Sequence, residues 1–69
     1  MLNTYDFFYE YMNRSDLGVA AHRVHAKSLP AARLAFATEV STNVDLLEIQ
    51  ISEDGQESWY RYEEPDAAV

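Results

Sequence analysis

Residues 44–63 read VDLLEIQISEDGQESWYRYE, and this stretch decides the fold. Apolar and polar side chains alternate on both sides of Asp54-Gly55, as they do in half-buried β-strands. The Asp-Gly dipeptide is a favoured type I′ turn pair. The stretch therefore predicts a β-hairpin whose strands span residues 44–52 and 57–63.

The hairpin register follows from the turn. A two-residue turn pairs Glu53 with Gln56 and places Glu48 opposite Arg61. One face is then apolar and carries Leu47, Ile49, Ile51, Ser58, Tyr60 and Tyr62. The other face holds polar side chains together with Leu46 and, beside Gln50, Trp59. Because turn chemistry and alternation agree, we expect this register in the folded protein.

A strand and a helix precede the hairpin. Residues 19–27 alternate and predict a strand. Ser28 is a favoured N-cap, and Pro30 suits the first helical turn that follows it. The helix should end near Thr42 and Asn43. Its apolar stripe consists of Leu29, Ala32, Phe36 and Val40.

The N-terminal segment is rich in aromatic residues. The spacing of Tyr5, Phe8 and Met12 at i, i+3 and i+7 predicts a first helix. Phe7 and Tyr11 would lie off that stripe, where we expect contact with a second subunit or a partner. An exposed aromatic pair on a small domain also predicts a homodimer.

These elements predict a small α+β domain in the order α-β-α-β-β. We expect a three-stranded, mainly antiparallel sheet with both helices on one face. The first strand should lie beside the last. Residues 1–69 form a single domain, of which residues 64–69, after Glu64-Pro65, are expected to be a loose tail.

Composition limits the class of protein. The chain has 69 residues and no cysteine, so neither disulfides nor thiolate metal sites stabilise it. A hydrophobic content of 48% argues against a disordered acidic tail. No signal-peptide pattern and no membrane-spanning apolar run is visible. We therefore expect a cytoplasmic protein, in the host cytoplasm if a phage encodes it.

The net charge of −7 is unevenly distributed. Acidic and basic residues balance in residues 1–41, four against four. Residues 42–69 contain eight acidic residues against Arg61 alone, which accounts for the whole excess. Such a field disfavours nucleic acid and anionic membranes as direct partners and favours a basic protein surface.

The acidic hairpin is the predicted binding site. Strand residues two apart lie about 6.8 Å apart on one face. This spacing is comparable to the distance between successive phosphates along one nucleic-acid strand. Those phosphates follow one another at an axial rise of about 3.4 Å. An exposed tryptophan is a common interface anchor. The candidate partner-binding residues are Glu48, Glu53, Asp54, Glu57, Trp59, Glu63, Glu64 and Asp66.

Catalysis and cofactor binding are not expected. His22 and His25 have a spacing that suits metal ligands on a helix, but on a strand they point to opposite faces. Ser15-Asp16 with these histidines suggests a hydrolase, yet no nucleophile elbow or Gly-rich loop accompanies them. We predict a non-catalytic protein without metal or cofactor.

In size, acidity and lack of cysteine or catalytic motif, the chain resembles small phage-encoded anti-CRISPR proteins, including those directed at type I (Cascade-type) effectors. That resemblance implies an inhibitor whose acidic, DNA-mimicking surface occupies the DNA-binding channel of a CRISPR–Cas effector. The alternative is an accessory or antitoxin-like module that binds a protein partner through Trp59 and the aromatic N-terminal helix. The first hypothesis predicts strongly salt-dependent binding and the second does not.

Overall fold

The computed structural model of the chain describes residues 2–40, 43–53 and 58–63. The protein is α+β: one helix packs on a four-stranded antiparallel sheet whose strand order is β2-β1-β3-β4. A single 3₁₀ turn, Ser15–Leu17, precedes β2. The elements are β1 (Asn3–Tyr11), β2 (Ala20–Ala26), α1 (Leu29–Glu39), β3 (Val44–Ser52) and β4 (Tyr60–Arg61). The predicted tail, residues 64–69, lies outside the described residues.

The N-terminal segment is a strand, so the prediction of a first helix is wrong. Tyr5, Phe7 and Tyr9 of β1 are buried, while the residues between them lie on the other face. An aromatic run with this alternation also fits a strand, which aromatic residues favour. Met12, expected within the helical stripe, is exposed. Pairing with strands on both sides selects the extended conformation.

Strand β1 is central and pairs with both β2 and β3. Phe7 lies opposite His22 of β2 and opposite Ile49 of β3. The predicted three-stranded sheet therefore has a fourth strand. The expectation that the first predicted strand would lie beside the last is also wrong, because β2 and β4 form opposite edges of the sheet.

A β-bulge interrupts the pairing of β1 with β3. Phe8 lies opposite Glu48 and Tyr9 opposite Leu46, so Leu47 has no partner on β1. The core-facing positions of β3 change parity across a bulge of this kind. Leu47 was predicted to share the buried face with Ile49, and half of it is exposed instead.

The pairing of β3 with β4 differs in register from the prediction. Gln50, not Glu48, lies opposite Arg61, and Ile51 lies opposite Tyr60. This is a shift of two residues, which keeps the paired residues of β3 and β4 on their predicted faces. The backbone N–H of Tyr62 donates to the carbonyl of Ile49 at 2.8 Å. The Asp54-Gly55 turn itself lies outside the described residues.

Helix α1 forms as predicted at its N-terminus. The Ser28 side chain accepts a hydrogen bond from the backbone N–H of Ala31, and Pro30 lies in the first turn. Ala32 and Phe36 are buried against the sheet. The helix ends at Glu39, earlier than expected, and extended Val40 closes the last turn through its N–H.

Stacked aromatic rings form the centre of the core. Phe7 is completely buried, and its ring lies parallel to that of Phe36 with centroids 4.5 Å apart. Tyr9 meets Phe36 edge-on at 5.5 Å. Helix α1 covers this core from the side of β2 and β1, and Ile49 and Ile51 of β3 belong to the same core. The sheet face that α1 does not cover, called the open face below, carries Asp6, Phe8 and Glu10.

Candidate protein-binding surface

Four of the eight predicted site residues lie in the described part of the chain. They are Glu48, Glu53, Trp59 and Glu63. The other four, Asp54, Glu57, Glu64 and Asp66, fall outside it. Within the described residues, eight acidic and five basic side chains leave a charge of −3.

Arg61 lies between two of the predicted carboxylates. Its guanidinium is 3.3 Å from Glu63 and 3.6 Å from Glu48. The hydrogen bond and charge of Glu63, followed by the charge of Glu48, raise the pKa of Arg61. The side-chain amide of Gln50 also donates to Glu48. Glu48 is thus held in place, whereas Glu63 is widely exposed beside it.

Glu53 and Tyr60 form a second fixed group on the same hairpin. The Tyr60 hydroxyl donates a short hydrogen bond to the Glu53 carboxylate. This hydrogen bond, together with partial burial, raises the pKa of Tyr60. The contact orients the Glu53 carboxylate at the end of β3 while both residues remain exposed.

Trp59 contacts the far edge strand of the sheet across the open face. The guanidinium of Arg23, on β2, lies 5.2 Å from the centroid of the Trp59 ring. The same guanidinium donates two hydrogen bonds to Asp6 of β1, at 2.7 and 2.9 Å. These bonds raise the pKa of Arg23. Trp59 therefore keeps 39% of its surface exposed but is held by a cation on one side.

Two carboxylates face each other at the opposite end of the sheet. Glu10 of β1 and Asp45 of β3 are direct cross-strand partners. Like charges in such a pair destabilise the sheet. Among the described residues, neither carboxylate forms an ion pair. This pair was not predictable from the sequence, because it depends on β1, a segment whose spacing predicts a helix.

An open cleft with a mixed polar and apolar lining lies beside β3 and begins at Leu46, the residue after Asp45. It has a volume of about 130 Å³. Its lining consists of Leu46, Leu47, Glu48, Ile49 and Tyr62. The tandem leucines 46 and 47 interrupt the alternation of the strand, and this was the signal in the sequence that could have predicted the bulge and the cleft.

The two residues of the N-terminal aromatic run that were predicted to be exposed face the core. Phe7, predicted to meet a partner, is fully buried against Phe36. Tyr11 is half-buried and packs edge-on against Tyr9 at 5.6 Å. The predicted exposed pair is therefore wrong, since alternation along a strand turns both residues toward the core.

The two histidines lie on opposite faces of β2, as predicted for a strand. His22 is 3.1 Å from the Glu39 carboxylate and near the Phe36 ring, on the side of α1. His25 is 3.1 Å from the Thr4 hydroxyl. In the described residues no three side chains of the metal-ligating types are grouped together.

Comparison of the chain with protein-family models, curated proteins and solved structures finds no match. Within the described ranges, no helix has the length and apolar character needed to cross a bilayer. The function must therefore be inferred from the surface of the molecule.

Proposed function

We propose that the protein is a non-catalytic inhibitor that binds a basic, nucleic-acid-binding protein and blocks its binding to DNA. The observation that carries this proposal is the segregation of charge, because the whole net charge of −7 lies in residues 42–69. In the described part, this segment is the β3–β4 side of the sheet. A surface of one sign attracts a partner whose channel has the opposite sign.

Fixed carboxylates support the proposal energetically. Glu48 is held by Gln50 and Arg61, and Glu53 is held by Tyr60. Groups that are already ordered lose less entropy on binding than groups on a flexible chain. Arg61 neutralises part of this surface in the free protein. Lysine or arginine side chains of a partner would therefore compete with Arg61 for Glu48 and Glu63.

The class of partner comes from the resemblance in size and acidity to small anti-CRISPR proteins. A CRISPR–Cas effector, in which a positively charged channel holds nucleic acid, is accordingly the first partner to test. The alternative, an antitoxin-like module acting through aromatic residues, is weakened because Phe7 is buried and Tyr11 half-buried, and it keeps the exposed Trp59.

The test compares two double variants that remove the same charge from different places. Asp54→Asn/Glu57→Gln removes two carboxylate charges from the hairpin. Asp16→Asn/Glu39→Gln removes two exposed carboxylate charges from residues 1–41, where acidic and basic residues balance. Glu53 is left unchanged because it holds Tyr60. Inhibition of target-DNA binding by a purified type I effector is measured by fluorescence anisotropy at several salt concentrations.

We expect the hairpin variant to inhibit severalfold more weakly and the control to stay within about twofold of wild type. Wild-type inhibition should also weaken as salt is raised, because the contacts are electrostatic. Equal losses in both variants would show that net charge alone acts. Salt-independent inhibition that is lost on Trp59→Ala would favour the aromatic alternative.

A further inference from the structure

We propose that the outer edge of β2 is an interface between two copies of this chain, which pair antiparallel through residues 20–26 about a two-fold axis. Such pairing joins two sheets into one continuous sheet with both helices on the same side. The homodimer expected from the sequence relied on Phe7 and Tyr11, which face the core, whereas this dimer uses a different surface. The association is independent of the proposed function.

The outer edge of β2 is long and regular. β2 pairs with β1 at seven consecutive positions, and β1 is its only strand neighbour among the described residues. Every second residue of an edge strand points its N–H and C=O groups away from the sheet, where a further strand can bond to them. At the opposite edge, β4 pairs over two residues only. Of the two edges in the described residues, β2 is therefore the longer template for an added strand.

The parts of the chain outside the described ranges are too short or too far away to run along β2. Residues 64–69 follow β4, which is three strand spacings of about 4.8 Å from β2. Six residues span at most about 20 Å, so crossing the sheet would leave a length of about two residues. Residues 41–42 lead into β3, residues 54–57 connect β3 to β4, and Met1 is a single residue.

The side chains of β2 leave its backbone accessible. Three of its seven residues are alanines: Ala20, Ala21 and Ala26. The strand contains neither a proline nor a bulge, which are features that protect sheet edges from pairing. Glu39 of α1 contacts His22, and Ala31 and Ala35 lie two turns and one turn before Glu39 on the same flank of the helix. Above β2, this flank therefore carries small side chains that permit close approach.

Charge favours a second copy at this edge. Two molecules of net charge −7 repel each other, and the repulsion is weakest when they meet through their charge-balanced halves. Residues 1–41 form that half and contain β2. Arg23 of β2 is also neutralised within its own copy, because it donates two hydrogen bonds to Asp6. In the dimer, the acidic β3–β4 sides then lie at the two outer ends, away from each other.

Symmetry limits the register of the pairing. When both helices lie on one side, the two-fold axis passes a residue that lies opposite its own copy. An axis at Arg23 would set two guanidinium groups opposite each other, which destabilises a cross-strand pair. An axis at the neighbouring His22 or Val24 avoids this contact. Ala21 then lies opposite Arg23 or opposite Lys27 of the second copy, so it faces a cation in both registers.

The test introduces a charge of either sign at Ala21 in the full chain. Ala21 is exposed, so neither substitution is expected to prevent folding, and circular dichroism checks each variant. Sedimentation equilibrium over the micromolar range measures the dissociation constant of the dimer. We expect Ala21→Lys to weaken the dimer about fivefold and Ala21→Glu to strengthen it about threefold, because each new cross-strand pair occurs twice. Net charge alone predicts the opposite order, since the lysine reduces the acidic excess and the glutamate increases it.

Matched variants at Ala37 make the same charge changes away from β2. Ala37 is exposed one turn after Arg33, on the flank of α1 whose Arg33 lies over the Tyr62 ring. We expect Ala37→Lys and Ala37→Glu to stay within about twofold of the wild-type dissociation constant. Raising the salt concentration should strengthen the dimer, because it screens the repulsion between the two acidic molecules.

Amide hydrogen exchange, followed by NMR of the ¹⁵N-labelled chain, locates the interface. On concentrating the wild-type protein, we expect slower exchange at alternate amides of residues 20–26 and no change in residues 58–63. A chain that stays monomeric at millimolar concentration would overturn the proposal. Slower exchange in residues 58–63 instead would assign the contact to the opposite edge. Masses that rise beyond two copies would replace the closed dimer by head-to-tail association. Equal responses at Ala21 and Ala37 would exclude β2 from the contact.

Discussion

The two sides of the central strand β1 differ in packing and in charge. On the side of β2 and α1, Phe7 and Phe36 stack in a closed core. His22 also bonds to Glu39 across β2 and α1 there. On the side of β3 and β4, Leu46 and Leu47 are exposed. The main contacts of the helix are with β2 and β1, and on the second side Arg33 of α1 lies 5.7 Å from the centroid of the Tyr62 ring.

This difference separates the residues that stabilise the fold from the exposed residues of the proposed binding surface. A chain of this length has little apolar area to bury, and concentrating it under one short helix forms a single dense core. The strands beyond the helix then keep apolar and acidic groups accessible. Burial of Ile49 and Ile51 in the same core and pairing with β1 hold these accessible groups in place. Three measurements test this division, the strongest effect first.

Phe7→Ala should nearly unfold the protein. Replacing a fully buried phenylalanine by alanine costs about 3–5 kcal/mol, which is comparable to the whole stability of a small domain. Phe8→Ala is the matched control, because Phe8 is half-buried on the open face. We expect it to cost less than half as much. Urea denaturation followed by circular dichroism measures both, and equal losses would contradict the strand assignment of this segment.

Trp59→Ala should lower the free energy of unfolding by about 1–2 kcal/mol. It removes the stacking of Arg23 on the indole ring, worth about 0.5–1 kcal/mol at an exposed site, and some apolar burial. A double-mutant cycle with Arg23→Ala isolates the pair, and we expect a coupling of about 0.5–1 kcal/mol. Additive losses would show that the open face is not linked across its strands.

Tyr60→Phe should change stability least, and its cost should be present at neutral pH and disappear at high pH. The hydrogen bond to Glu53 raises the pKa of Tyr60 in the folded protein, so the fold favours the protonated phenol. This stabilisation is present below the unfolded value of about 10 and is lost as pH rises through the higher folded pKa. The alkaline titration of wild type should therefore contain one late-titrating tyrosine that is missing from the Tyr60→Phe variant.

Ultraviolet absorbance at alkaline pH follows that titration. Glu53→Gln is the matched control, because it keeps an acceptor but removes the charge, and it should move Tyr60 toward the ordinary pKa. Tyr9, whose pKa its hydrogen bond with Tyr11 raises, remains in both variants as a reference. If Glu53→Gln leaves the titration unchanged and Tyr60→Phe removes only a tyrosine of ordinary pKa, the contact does not order Glu53.

The acidic residues of the candidate surface were predictable, and its apolar part was not. The concentration of acidic residues in one part of the chain is visible in the sequence. It identified Glu48, Glu53 and Glu63 as candidate binding residues. The cleft depends on a bulge between β1 and β3, and therefore on knowing that β1 is a strand. Trp59 was expected on the polar face. Its contact with Arg23 was not predictable, because the predicted order placed the strand of Arg23 beside the last strand, whereas β2 and β4 form opposite edges of the sheet.

The sequence by itself determined the antiparallel α+β class, the cap and buried stripe of α1, the extended conformation of β2 and β3, and the location of the excess charge. These properties follow from local periodicity, capping and composition. Only the tertiary structure decided that residues 3–11 form the central strand, that β2 and β4 are the edges, and how β4 aligns with β3. Aromatic residues spaced like those of β1 suit a helix stripe as well as a strand, and a shift of two residues preserves the faces of a hairpin. Backbone pairing between distant segments settles both choices, and no local pattern encodes it.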